Sequence, residues 1–114
     1  MLNATLTELS GALAAKKISS VELTRLHLDR IRKVDRELNA FITVDEQHSL
    51  AQAQRADARL ARGAAAPLTG IPVAHKDIFC TRELRTTCGS KMLEQYVSPY
   101  DAFVIEQFNR ADAV

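Results

Sequence analysis

The 114-residue sequence has the length of one domain, with 46% hydrophobic residues, 25% charged residues and a net charge of +1, the balance of an ordinary globular protein. A charge so near zero argues against a nucleic-acid face of its own, which shows as a basic domain or stripe. No run approaches the roughly 18 apolar residues of a membrane helix.

With 5% aromatic residues and no tryptophan, the core must come from Leu, Ile, Val and Ala. The opening Met1 to Thr5 lacks the basic and apolar regions of a secretory leader, so a cytoplasmic location is expected. Cys80 and Cys88 do not form a Cys-x-x-Cys pair, and no His/Cys spacing fits zinc. Separate thiols and no metal are the expectation.

Three helices are expected in the first half. Thr5-Leu6-Thr7-Glu8 and Ser19-Ser20-Val21-Glu22 both have capping-box spacing. The first box precedes Leu6, Leu9 and Leu13 on one face. The second precedes a broad stripe of Leu23, Leu26, Leu28, Ile31 and Val34, ending near Asp35. Ala40 to Val44 is short and β-rich and reads as a brief strand or extended link. A third helix is expected from Glu46 to Arg62, with small inward residues (Ala53, Ala56) beside Leu50 and Leu60, and with Gly63 as a left-handed C-cap. Residues 1–63 thus form a helical prelude.

The texture changes over residues 64–70. Ile71-Pro72-Val73-Ala74-His75-Lys76-Asp77-Ile78-Phe79 is a compact apolar run and reads as a strand, with Pro72 at its start, where a missing N–H costs least. The polar segment 81–90 reads as turns. Pro99 and Asp101 announce a last helix, with Asp101 as N-cap and Val104, Ile105, Phe108 and Ala111 inward. Helix, strand and helix in this order predict an α/β protein in which residues 64–114 begin a parallel core. Such sheets need several strands with both faces covered, so the core reads as unfinished.

Lys76 stands apart from the solvated lysines 16, 17 and 33. One reading is a strand-end lysine that turns back to water. The other is a base. An ordinary ammonium is almost wholly charged at pH 7, and burial is what favours the neutral amine. The functional reading therefore expects Lys76 buried, with Asp77 on the opposite face of the strand and His75 beside Asp77.

Residues 70–79, Gly-Ile-Pro-Val-Ala-His-Lys-Asp-Ile-Phe, resemble the lysine-bearing strand of the amidase-signature enzymes. Thr87-Cys88-Gly89-Ser90 is similar to the small-residue turn that follows it there, and residues 96–102, Tyr-Val-Ser-Pro-Tyr-Asp-Ala, are similar to the opening of the next helix. Leu38-Asn39-Ala40-Phe41-Ile42 fits the same prelude. The resemblance runs from about Leu6 onward, and its wording is nearest to the glutamine-hydrolysing members that serve tRNA-dependent amidotransferases. Asp112 stands where the family usually has glycine, and no Gly-Ser-rich stretch carrying the two family serines occurs in these residues.

The resemblance implies the amino-terminal part of the family's mixed-sheet fold, with Lys76 as the one catalytic residue in this chain. A neutral lysine takes a proton from a middle serine on a cis peptide bond, which activates a serine nucleophile. Glutamine is hydrolysed to glutamate and ammonia. It further implies B and C partner subunits and a misacylated Glu-tRNA(Gln) or Asp-tRNA(Asn) acceptor met through the complex. No cofactor is implied for this chain; ATP and Mg²⁺ are used by a partner subunit. Ser90 reads as a turn hydroxyl, His75 as a structural neighbour, and His27 and His48 have no identifiable partner. The alternatives are another amidase-signature hydrolase of the same strand, or a non-catalytic helical interaction module.

Overall fold

The computed structural model describes residues 1–114 and contains four α-helices: α1 (Leu6–Ala14), α2 (Ser20–Leu38), α3 (Glu46–Ala61) and α4 (Phe103–Arg110). A single 3-10 turn spans Lys91–Leu93. Both capping boxes form: Glu8 N–H donates to Thr5 Oγ1 while Glu8 reaches back to Thr5 N–H, and Ser19 and Glu22 do the same. Each satisfies donors that a helix start otherwise leaves open.

Helix α2 runs three residues past the expected end at Asp35. Asn39 stops it in the left-handed conformation, φ +50°, which asparagine tolerates. Asp35 then accepts from Ala40 N–H at 2.8 Å and Phe41 N–H at 3.4 Å, tying the exit down. Residues 40–44 form no strand. The apolar faces hold in part: Leu9, Leu13, Leu23 and Leu28 are buried, but Leu6 and Leu26 are exposed.

Helices α2 and α3 pack against each other along the fully buried Ala53 and Ala56. Their antiparallel sense follows from their polar ends. Ser20 N–H and Val21 N–H at the start of α2 donate to Asp57 near the end of α3, at 2.7 and 3.2 Å. Arg32 meets Glu46 at the start of α3, at 3.0 Å. Asp57 thus caps a helix to which it does not belong, placing negative charge where the dipole favours it.

The core is the cluster Leu9, Leu13, Leu23 and Ile71, with Ala4, Ile18, Leu60 and Leu68 packed around it. Ile71 brings the second half of the chain into it. Gly70 makes that entry possible: its φ is +79°, and a Cβ there would lie 2.9 Å from both Cβ and Oγ of Ser20. Ser20 Oγ uses the approach to donate to Gly70 O at 2.8 Å.

The expected strand over residues 71–79 is not present. Residues 71–76 are extended, but a turn begins at Asp77, closed by Phe79 N–H donating to Lys76 O at 3.2 Å. What exists of the sheet is one rung. Val114 N–H donates to Ile71 O at 3.0 Å, and Val73 N–H donates to Val114 O at 2.6 Å. This is the slanted pattern of a parallel pair with Pro72 opposite Val114. Proline fits because neither bond requires its N–H. The α/β expectation holds in part: these residues supply helices and extended segments, and no strand forms among them. An isolated antiparallel bridge, Arg85 to Val97, is the only other β pairing.

Helix α4 also differs at its start. Its N-cap is Ala102, without a side-chain bond, because Asp101 Oδ1 accepts from Arg82 N–H at 2.8 Å instead. Ile105 is its buried residue, Phe108 is half-buried and Phe103 is 75% exposed. At its far end Asp112 adopts φ +50°, and its carboxylate pairs with Arg59. Arg59 Nε also donates to Ala64 O at 2.7 Å. The ion pair secures the turn that delivers Val114 beside Ile71.

Candidate functional site

Lys76 is the last residue of the extended segment. It is exposed, not buried as the functional reading of the strand expects, because no second layer covers this face within the 114 residues. Between Val73 and Phe79 no main-chain N–H finds an acceptor within the chain. The fixed points are the rung at Val73 and the turn that Lys76 opens.

That turn is held from segment 81–90. Thr87 N–H donates to Asp77 Oδ1 at 2.8 Å, and Thr87 Oγ1–H donates to Asp77 Oδ2. Cys88 N–H donates to Asp77 O at 2.9 Å, and Gly89 N–H donates to Thr87 Oγ1 at 3.1 Å. Cys88 and Gly89 both take left-handed φ, +52° and +68°, which folds these N–H groups back toward Asp77. Next to it, Thr86 Oγ1–H donates to Phe79 O at 3.4 Å and accepts from Thr81 N–H at 3.3 Å. Thr81, Thr86 and Thr87 are all buried.

The electrostatic consequence concerns Asp77. Burial pushes its carboxyl up. The bonds from the Thr87 hydroxyl and Thr87 N–H, with the Gly89 N–H and His75 nearby, outweigh this and hold it below the ordinary carboxylate range. His75 lies near Asp77 as expected but makes no hydrogen bond to it: His75 Nδ1 lies 3.3 Å from Lys76 O, and Asp77 is satisfied by Thr87. The strand alternation behind that expectation ends where the turn begins. No carboxylate pairs with Lys76.

The other candidates are structural here. Ser90 caps the 3-10 turn, its Oγ accepting from Met92 N–H at 3.3 Å. Ser98 is buried, with Oγ–H donating to Tyr100 O at 2.8 Å. Cys80 and Cys88 are free thiols, Cys80 lying 3.7 Å from Tyr100 Oη. His27 Nδ1 is 2.9 Å from Leu23 O. His48 does have a partner, Glu83 at 2.8 Å, which sequence reasoning missed because the two lie far apart in the chain.

No group of three or more His, Cys, Asp or Glu side chains could hold a metal ion, and no helix is long and apolar enough to cross a membrane. A polar cleft of about 260 Å³, lined by residues such as Gln52, Arg55 and Asn109, includes none of the Lys76 segment.

The amidase family model matches residues 22–114, and the chain belongs to the amidase family. Over all 114 residues it is 62% identical to the A subunit of glutamyl-tRNA(Gln) amidotransferase from Aromatoleum aromaticum. It is 59% identical to the protein of the same name from Methylobacillus flagellatus. The chain spans 23% of the length of each. Among solved structures, native peptide amidase from Stenotrophomonas maltophilia superimposes with a TM-score of 0.92 at 29% identity, covering 98% of this chain and 23% of that one.

Proposed function

We propose that these residues belong to the glutamine-hydrolysing component of a tRNA-dependent amidotransferase, and that Lys76 is its proton-transfer lysine. The observation that carries the proposal is the state of the Lys76 turn. The one carboxylate adjacent in sequence is taken up by Thr87 and the amine has no ion-pair partner. The identity of 62% across all 114 residues supports the choice of amidotransferase over other amidases.

In this reading the uncharged amine accepts a proton from a serine hydroxyl, which in turn takes one from the nucleophilic serine. The nucleophile attacks the glutamine amide, and ammonia leaves. The serines are supplied by residues of the longer protein, and so is the covering of Lys76 that disfavours its cation. ATP and Mg²⁺ act in a partner subunit that amidates the misacylated tRNA, and no step of that kind falls to this chain.

A second reading, an amide hydrolase of other specificity, is favoured by the superposition on peptide amidase. One assay separates the two. The complete product of the reading frame that encodes these residues, purified with its partner subunits, is given glutamine, a C-terminal peptide amide, ATP and misacylated tRNA. The proposal expects ammonia from glutamine and amidation of the tRNA. Turnover of the peptide amide with no amidation of tRNA supports the second reading and overturns the first.

A further inference from the structure

We propose that Asp77 and Thr87 form a positioning clamp for Lys76. The inference rests on the reading of Lys76 as the base and adds two residues that act through it.

A lysine side chain has four rotatable bonds, so its amine is placed only as well as its Cα–Cβ bond is aimed. In a sheet, ladder bonds on both sides aim such a bond. Within these 114 residues the rung nearest Lys76 is at Val73, so what this part of the protein adds at Lys76 itself is the turn that follows it. The other fixed point of the segment is its far end. That end is the turn from Lys76 to Phe79, closed by one 3.2 Å bond and presenting Ile78 half to solvent.

The clamp holds it from the other side. Both oxygens of Asp77 and its main-chain carbonyl are engaged by Thr87 and Cys88, and Thr87 is only 3% exposed. Three hydrogen bonds converge on the residue directly after Lys76. Gly89 N–H closes the arrangement by donating to the Thr87 hydroxyl, so that the hydroxyl's donor is directed at Asp77. The same bonds occupy the carboxylate adjacent in sequence to the Lys76 ammonium. The clamp therefore aims the lysine and keeps its neighbour from pairing with it.

A displacement of about 1 Å at a reacting group costs about 10²-fold in rate. In the complete enzyme with its partner subunits, Thr87→Val is expected to lower kcat for glutamine hydrolysis about 10- to 100-fold, with KM changed less than about threefold. Thr87→Ser, which keeps the hydroxyl, is expected to restore most of kcat. Asp77→Asn replaces an acceptor oxygen with a donor and is expected to lower kcat in the same direction at constant KM. Activities are referred to folded enzyme, with circular dichroism and melting temperature for each variant.

Unchanged kcat per folded enzyme in Thr87→Val overturns the clamp. So does an unchanged kcat in Asp77→Asn, which decides the matter if the valine variant does not fold. A serine variant as impaired as the valine variant also contradicts it. Lys76→Met, assayed alongside, keeps the two ideas apart. If it retains activity, the base reading fails; if it is inactive while Thr87→Val and Asp77→Asn turn over normally, only the clamp fails.

Discussion

At Asp77 the direction of the acid dependence can be worked out from the hydrogen bonds. Its carboxyl is held below the ordinary range in the folded chain. A group depressed on folding contributes stability that is present above its unfolded pKa, about 3.9. That stability is lost as pH falls through the lower folded value. Asp77→Asn is expected to cost about 1–3 kcal/mol at neutral pH and to flatten the loss of stability below about pH 4. Denaturant titrations at several pH values measure both; identical acid profiles for the two proteins contradict the account. Glu8 and Glu22, lowered by the main-chain and side-chain bonds of Thr5 and Ser19, carry acid dependence of the same sign. The sequence reveals Lys76 and its motif but not Thr87 as Asp77's partner. The only signal is the Thr-Cys-Gly order, whose two left-handed residues fold donors back across ten positions.

Among the elements, the helices are legible because their signals are local. Capping boxes, the Gly63 stop and the stripes of α1, α2 and α3 are read within a few residues. The strand is not, because an apolar run becomes a strand only when a partner supplies its ladder. The start of α4 is misread for a related reason: Asp101 has a choice of donors, and Arg82 N–H takes it. The junction at Gly70 gives a sharp test of packing. Gly70→Ala meets a left-handed φ costing about 1–2 kcal/mol and a 2.9 Å contact with Ser20, with overpacking adding about 1–3 kcal/mol. A total loss of about 2–5 kcal/mol by urea denaturation is expected; a loss under about 0.5 kcal/mol contradicts the close approach. Leu23→Ala, at a fully buried site, is expected to cost about 2–5 kcal/mol, measured the same way.

For the molecule as a whole, the notable quantity is how much apolar surface remains open. Leu38, Ile42, Met92 and Phe103 are all more than half exposed, and the extended segment 71–76 has one rung of pairing. Open strand edges and apolar patches promote association. The 114-residue chain on its own is expected to self-associate at micromolar concentration in sedimentation velocity and to release no ammonia from glutamine. A monodisperse monomer contradicts the first expectation.

The most direct test concerns the amine of Lys76. In the complete enzyme with its partner subunits, Lys76→Met is expected to lower ammonia release from glutamine by at least about 10²-fold. Amidation of misacylated tRNA should continue when ammonium chloride replaces glutamine as nitrogen donor. Glutamine hydrolysis at the unsubstituted rate in Lys76→Met contradicts the account.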